Sequence, residues 1–306
     1  MVNINPKKQI LAVYIILIIA TVAVFWQVNQ FDFISIDDTI YITQNSHIQS
    51  GITPKQLFWA FTTTHGEYWH PVTWLSLMLD YRLFGLHAGS YHVINLALHI
   101  LSTLLLFWLF NRMTGAIWRS AFIAAVFALH PLHVECVAWV AKRRDLLSAF
   151  FGILTLCLYV YYTEKPLIKR YLLIFFPFVL ALMSKPMVVT LPVIMILLDY
   201  RPLDRLRSRK GNLIIWQFRE KAPFFILSMV FSLVTIYARD NKPMTHFPLA
   251  SRLENAFVAF VTYLEKTFYP HDLIIIQLFR LQIPFWQILA SIILIVVISI
   301  AVIKAL

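Results

Sequence analysis

Uncharged apolar runs, each closed by a short polar or basic interval, recur along almost the whole chain. The first, residues 9–31, contains LAVYIILIIATVAVFW and follows Lys7 and Lys8. A helix of about 20 apolar residues crosses a hydrocarbon core of roughly 30 Å. The run exceeds the apolar core of a signal peptide, about 7–15 residues, and no small-residue cleavage site follows, so it reads as a retained anchor. Further runs lie at 83–111, 120–134, 146–163, 171–184, 186–198, 222–238, 273–279 and 281–303. Several are too short to cross alone and must tilt or line a protein interior. The pattern predicts an all-α polytopic membrane protein, a helix bundle with about eight to nine transmembrane helices. Segment 253–268 is the undecided one, apolar in its middle but ended by Glu265 and Lys266.

Composition agrees and closes off the alternatives. Apolar residues make up 60% of the chain and charged ones 13%, against about 45–50% and about 25% in soluble domains. A water-facing surface cannot be built from this. The net charge of +11 sits in short clusters between the apolar runs rather than along one stripe, which speaks for membrane orientation and against nucleic acid. Cys136 and Cys157 form no CxxC pair, so neither a disulfide framework nor a thiolate metal site is expected.

The basic clusters give a topology. With the amino terminus cytoplasmic, residues 29–87 lie outside, and Arg112, Arg119, Lys165, Lys169, Arg170 and the segment RPLDRLRSRKGN fall inside. Lys142, Arg143 and Arg144, in AWVAKRRDLLSAF, break the rule by falling outside. Either the topology slips by one crossing there, or these side chains snorkel to headgroups, or they form a cationic lip for phosphate, which Arg geometry suits. Lys185, in the tight turn before Pro186, is a further external cation for a lipid phosphate.

The external segment 29–87 is longer than a connection needs. It opens with FDFISIDDTIYITQN, placing Asp37 and Asp38 beside the membrane in a chain poor in carboxylates. The pair either caps a short helix near Thr39 or offers one Asp as base or metal ligand while its neighbour positions it. Pro54 and Pro71 stand where helices begin, and Trp59, Tyr68, Trp69 and Trp74 suit headgroup level. His70, Asp80 and Arg82 are lesser candidates for the site. His65, Glu67 and His70 match no zinc spacing.

Two polar groups interrupt the apolar runs. His92, Asn95 and His99 recur at three and four residues, one helical face, and are expected to hydrogen-bond to neighbouring helices. In FALHPLHVECVAWVAKRRD, Pro131 limits helix continuity where His130, His133 and Glu135 gather. His133 and Glu135 cannot share a face of a regular helix, although a broken or re-entrant segment would bring both to a cavity, with Glu135 a second acid.

An external acidic pair with Lys and Arg at phosphate height fits group transfer from a lipid phosphate. The ordered segments ISIDDTIYI, YWHPVTWLSLMLDYRLFG, HPLHVECVAWVAKRRDLLSAFF, MSKPMVVTLPVIMILLDY and SRLENAFVAFVTYLEKTFYPHDL resemble the membrane part of the TMTC-type protein O-mannosyltransferases and their bacterial relatives. The resemblance covers roughly residues 10–280. It implies a GT-C-like bundle of one domain over 1–306, with 29–87 as its external loop. The implied reaction moves a sugar, with inversion, from a polyprenyl-phosphate donor to a hydroxyl of a protein or glycan. The acidic motif carries over onto Asp37 and Asp38, with Asp37 the first choice of base. The HPxHxE motif and its basic follower carry over onto His130, His133, Glu135 and Arg143 or Arg144. Where the family has Arg-Ala-Asp, this chain has Arg143-Arg144-Asp145.

A divalent cation, Mg or Mn, shared by Asp37 and phosphate is compatible with these residues but not required by them. Many members of that family continue into tetratricopeptide repeats, and no such period occurs here, so the expectation is one of three: recognition of something other than a protein, a sequence that is part of a longer chain, or a separate repeat-protein partner. The expected setting is the bacterial cytoplasmic membrane, with membrane lipids around the bundle, the active site external and no role for nucleic acid. A transporter or flippase, or a non-catalytic assembly subunit, are the competing classes.

Overall fold

The computed structural model describes residues 5–206, 212–239, 248–274, 280 and 282–305. Their regular elements are all helices, with no strand among the described residues. They fall into two compact units, Met1–Arg239 and Asp240–Leu306.

The first unit opens with α1 (Pro6–Phe25), which begins where Pro6 gives up no needed donor and the Asn5 side chain accepts from the Lys7 N–H at 3.0 Å. The segment after it winds through short helices α2 (Ser46–Gln49), α3 (Pro54–Thr62) and α4 (Pro71–Phe84). Both prolines start their helices as expected. Trp74 faces the protein interior and not solvent or lipid. It is fully buried with Leu77 and Met78, because spacings of three and four put all three on the inner face of α4.

The long helices follow. α5 (Ala88–Thr114) ends at Gly115 in a left-handed conformation, a common stop because glycine bears no Cβ. α6 (Ile117–Leu129) and α7 (Val134–Ala138) are bent 49° apart across Pro131. α8 (Arg143–Glu164), α9 (Ile168–Ser184), α10 (Leu191–Tyr200) and α11 (Leu213–Arg239) complete the unit. The second unit pairs α12 (Leu249–Phe268) with α13 (Phe285–Ala305).

Among the described residues, five stretches are long and apolar enough to cross a membrane, or six if the bent α6–α7 pair forms one span. The sequence runs suggested about eight to nine. The difference lies in short elements, since α9 has 17 residues and α10 has 10, while α12 carries Arg252, Glu254, Glu265 and Lys266. The architecture is that of an all-α polytopic membrane protein.

Three separated parts of the first unit meet at one end of its bundle. Thr73 donates to the Ser184 carbonyl at 3.2 Å, Ser148 to the Lys185 carbonyl at 3.1 Å, and the Ala141 N–H to Asp38 at 2.8 Å. Segment 29–87, the approach to α8 and the turn after α9 therefore share a face of the bundle. This is the grouping that the alternating topology requires.

Candidate active site

The broken α6–α7 segment needs outside partners before it can position anything. In a continuous helix the Ala128 carbonyl would accept from Leu132 N–H. Here Leu132 N–H goes to His130 Nδ1 at 3.2 Å, and His99 Nε2 takes up the Ala128 carbonyl at 2.9 Å. Asn95 Nδ2 donates to the Val137 and Trp139 carbonyls at 3.4 and 3.1 Å, where the chain breaks again before α8. His92 Nε2 lies 3.5 Å from the Asp32 carbonyl. The polar stripe of α5 thus satisfies the backbone of irregular segments, as unpaired carbonyls inside a bundle would be costly.

The two aspartates separate by role. Asp38 is fully buried and accepts from the Ile34 N–H at 2.9 Å as well as from Ala141. It does not cap the turn at Thr39. Burial raises its pKa, with the two N–H groups pulling the other way. Asp37 keeps its side chain 35% exposed, and its Oδ2 lies 4.0 Å from Arg144 Nη2.

The basic cluster divides in the same way, because successive residues of a turn point in different directions. Arg143 has no exposed surface. It pairs with Asp80 at 2.8 Å and donates to Ser76 Oγ at 2.8 Å, to the Tyr91 carbonyl at 2.9 Å and to Asn95. It holds α4, α5 and α8 together, and no phosphate reaches it there. Lys142 pairs with Glu135 at 2.8 Å and lies over the Trp139 ring.

Arg144 is the one that faces Asp37 and Asp145. It donates to Tyr41 Oη at 2.6 Å, lies over the Tyr41 and Tyr68 rings at 5.5 and 5.0 Å, and has Asp145 Oδ2 3.9 Å from its Nε. Asp145 in turn pairs with Lys185. Asp37, Arg144, Asp145 and Lys185 form one partly exposed chain of alternating charge.

Aromatic rings support this chain from beneath. Tyr41 stacks on His70 and Trp74 with centroids 5.5 and 4.9 Å apart. Gly66 has φ +72, and a Cβ there would come within 3.1 Å of Tyr41 Oη, so glycine lets the loop pass close. Burial pushes the Tyr41 phenol up to about 12, which keeps it a neutral acceptor for Arg144. His70 is buried with neither ring nitrogen hydrogen-bonded, and desolvation beside Arg144 lowers its pKa to about 3.

The remaining candidates lie apart. His133 turns toward His99 and Phe127, with centroids 5.4 and 4.6 Å away, and so diverges from Glu135. His130 sits at the break itself, and Arg82 is exposed in the last turn of α4, where its charge suits free carbonyls. Among the described residues no three His, Cys, Asp or Glu side chains converge to hold a metal ion. A divalent ion at Asp37 would therefore draw its other ligands from phosphate and water.

Sequence reasoning passed over Tyr41 and Asp145 as site residues. It also passed over a buried network at the opposite end of the bundle, where Lys221 pairs with Asp199 and Glu220, and Arg205 with Asp199 and Glu220. The signal for the network was an acid, Asp199, closing an apolar run.

Comparison with known proteins follows the same lines. The chain is 33% identical over 141 residues to protein O-mannosyl-transferase TMTC4 of Mus musculus, covering 39% of this chain and 19% of that one. It is 30% identical over 177 residues to TMTC4 of Homo sapiens, covering 50% and 24%. It is 33% identical over 134 residues to Tmtc2 of Drosophila melanogaster, covering 40% and 14%. The aligned part thus spans a quarter or less of these relatives. No family model and no solved structure matches. The proteins that this chain resembles, over as much as half its length, are the TMTC-type protein O-mannosyl-transferases.

Proposed function

We propose that the protein is a membrane glycosyltransferase of GT-C type that moves a hexose, mannose being the first choice, from a polyprenyl-phosphate donor to a hydroxyl of a protein or glycan. The observation that carries the reading is the position of Asp37, the open acid of the pair, next to Arg144 in a chain of alternating charge. The names of the relatives favour sugar transfer over transport.

In this reading the donor tail lies along the apolar helices and its phosphate meets Arg144 and Lys185. The acceptor oxygen attacks the anomeric carbon as the bond from that carbon to the phosphate oxygen breaks. Polyprenyl phosphate leaves with the bonding electrons, and the configuration inverts. Asp37 takes the acceptor proton. A carboxylate is a weak base toward a neutral hydroxyl, so the transfer comes late, once the attacking oxygen has gained positive charge. Arg144 and Lys185 stabilise charge gathering on the phosphate, more strongly where water is restricted. Arg143 and Asp38 act by holding the frame, and Glu135 with Lys142 flanks it.

The test is transfer by purified protein from polyprenyl-phosphate hexoses to hydroxyl acceptors, with Asp37→Asn alongside. The parent is expected to transfer and the variant to lose at least about 10²-fold. Undiminished transfer by the variant removes Asp37 as the base.

A further inference from the structure

Between Arg144 and Lys185 stands Asp145, a carboxylate that the reaction above does not use. Its Oδ1 pairs with Lys185, and its Oδ2 faces Arg144 Nε at 3.9 Å. Both Asp145 Oδ2 and Arg144 Nε are buried, and neither makes a hydrogen bond. Two buried charged atoms left just beyond bonding distance are expensive unless something completes them. An N-terminal acid in α8 also suits the helix dipole. That role needs neither a second cation nor a pair of charged atoms left without a hydrogen bond beside it.

From this arrangement we infer that Asp145 is a positioning residue, a negative spacer that holds Arg144 and Lys185 as a two-point cradle for the phosphate of the lipid donor. The inference rests on the transferase reading. Its physical basis is that two like charges on a partly dry surface repel unless a carboxylate lies between them. With Asp145 in place the cations are fixed before substrate arrives, and they need no reorganisation as charge builds on the leaving phosphate. Arg144 is constrained on its other sides by Tyr41 and Tyr68, and the Lys185 backbone is tied down by Ser148. Asp145 is thus the link that joins two separately anchored cations.

The same carboxylate repels a phosphate that settles between the cations. Removing its charge should therefore help ground-state binding while harming the transition state, a split that loss of structure does not produce. The experiment uses the purified full chain in nanodiscs, comparing the parent with Asp145→Asn and Asp145→Glu. Steady-state transfer is expected to show kcat of Asp145→Asn lowered about tenfold or more per folded molecule, with donor KM unchanged or lower and partial recovery in Asp145→Glu. An unchanged kcat, or a loss accounted for by the unfolded fraction, overturns the proposal.

A second readout needs no transfer. Binding of polyprenyl monophosphate is expected to weaken in Arg144→Gln and Lys185→Gln and to hold or tighten in Asp145→Asn. Weaker binding in Asp145→Asn overturns the cradle. Failure of the parent to transfer, with the binding pattern intact, overturns the transferase reading alone. Inorganic phosphate, added as competitor, separates recognition of the headgroup from recognition of the lipid.

Discussion

Neighbouring residues of like chemistry have unlike fates here, and mutation separates them. Asp38→Ala leaves the Ile34 and Ala141 N–H groups without their acceptor, at about 1–3 kcal/mol for each. A lowered melting temperature is expected, whereas Asp37→Asn should melt like the parent. Equal melting of all three proteins would contradict the assigned roles. Arg143→Ala strands Asp80 in the interior and is expected to cost about 3–5 kcal/mol. His70 adds a pH dependence. Its pKa is lowered to about 3 in the folded protein, against about 6.5 when unfolded. The unfolded chain therefore binds the proton first as pH falls, and stability drops between those values by about 1.4 kcal/mol per pH unit. His70→Phe keeps the stacking on Tyr41 and Trp74 and should flatten that acid limb in melts at pH 7 and pH 4.5. An unchanged limb would show that His70 is not the group responsible. None of these splits is legible in the sequence. An Asp pair and an Arg pair look symmetric in one dimension, and only the fold decides which side chain turns inward.

Elements were more legible than their joints. Pro54 and Pro71 marked helix starts because proline lacks the donor that a first turn leaves free. Pro131 marked a break for the related reason that it cannot continue a hydrogen-bonded ladder. The three-and-four spacing of His92, Asn95 and His99 gave the face they share. It could not give their partners, which are carbonyls freed by breaks elsewhere in the chain. The same dependence makes Asn95→Leu informative. The substitution preserves helix propensity in α5 while leaving the Val137 and Trp139 carbonyls and Arg143 short of a partner. Both stability and transfer should fall, with melting reduced by the equivalent of about 1–3 kcal/mol. Ser102→Ala makes the comparison, since it removes only a bond back to the Leu98 carbonyl of the same helix. A similar loss from both variants would mean that the break does not depend on Asn95.

At the scale of the whole molecule, the alternation of basic clusters and the contact pattern constrain each other. Charge counting alone left Lys142, Arg143 and Arg144 on the wrong side, with a slipped topology as one explanation. The contacts remove the anomaly within the bundle, because each of these residues has an acidic partner, Glu135, Asp80 and Asp37 respectively. Basic residues neutralised by the fold no longer report on orientation. Arg112 is paired as well, with Glu164, and Arg205 with Asp199 and Glu220, so the inside assignment leans on Arg119, Lys165, Lys169, Arg170 and the other basic residues of 201–212. Single cysteines placed at Ser50, Lys165 and Met187, all exposed, test this arrangement in intact cells. Positions 38 and 143 would serve poorly, since both are fully buried. Residues 50 and 187 flank segments joined through the contacts of Thr73 and Ser148, whereas residue 165 follows the far end of α8. An impermeant thiol reagent should therefore label positions 50 and 187 from outside and reach position 165 only after the membrane is opened. Labelling of 50 and 165 together would break the alternation across α8. Labelling of 50 without 187 would instead separate Asp37 from Lys185, and with them the proposed site.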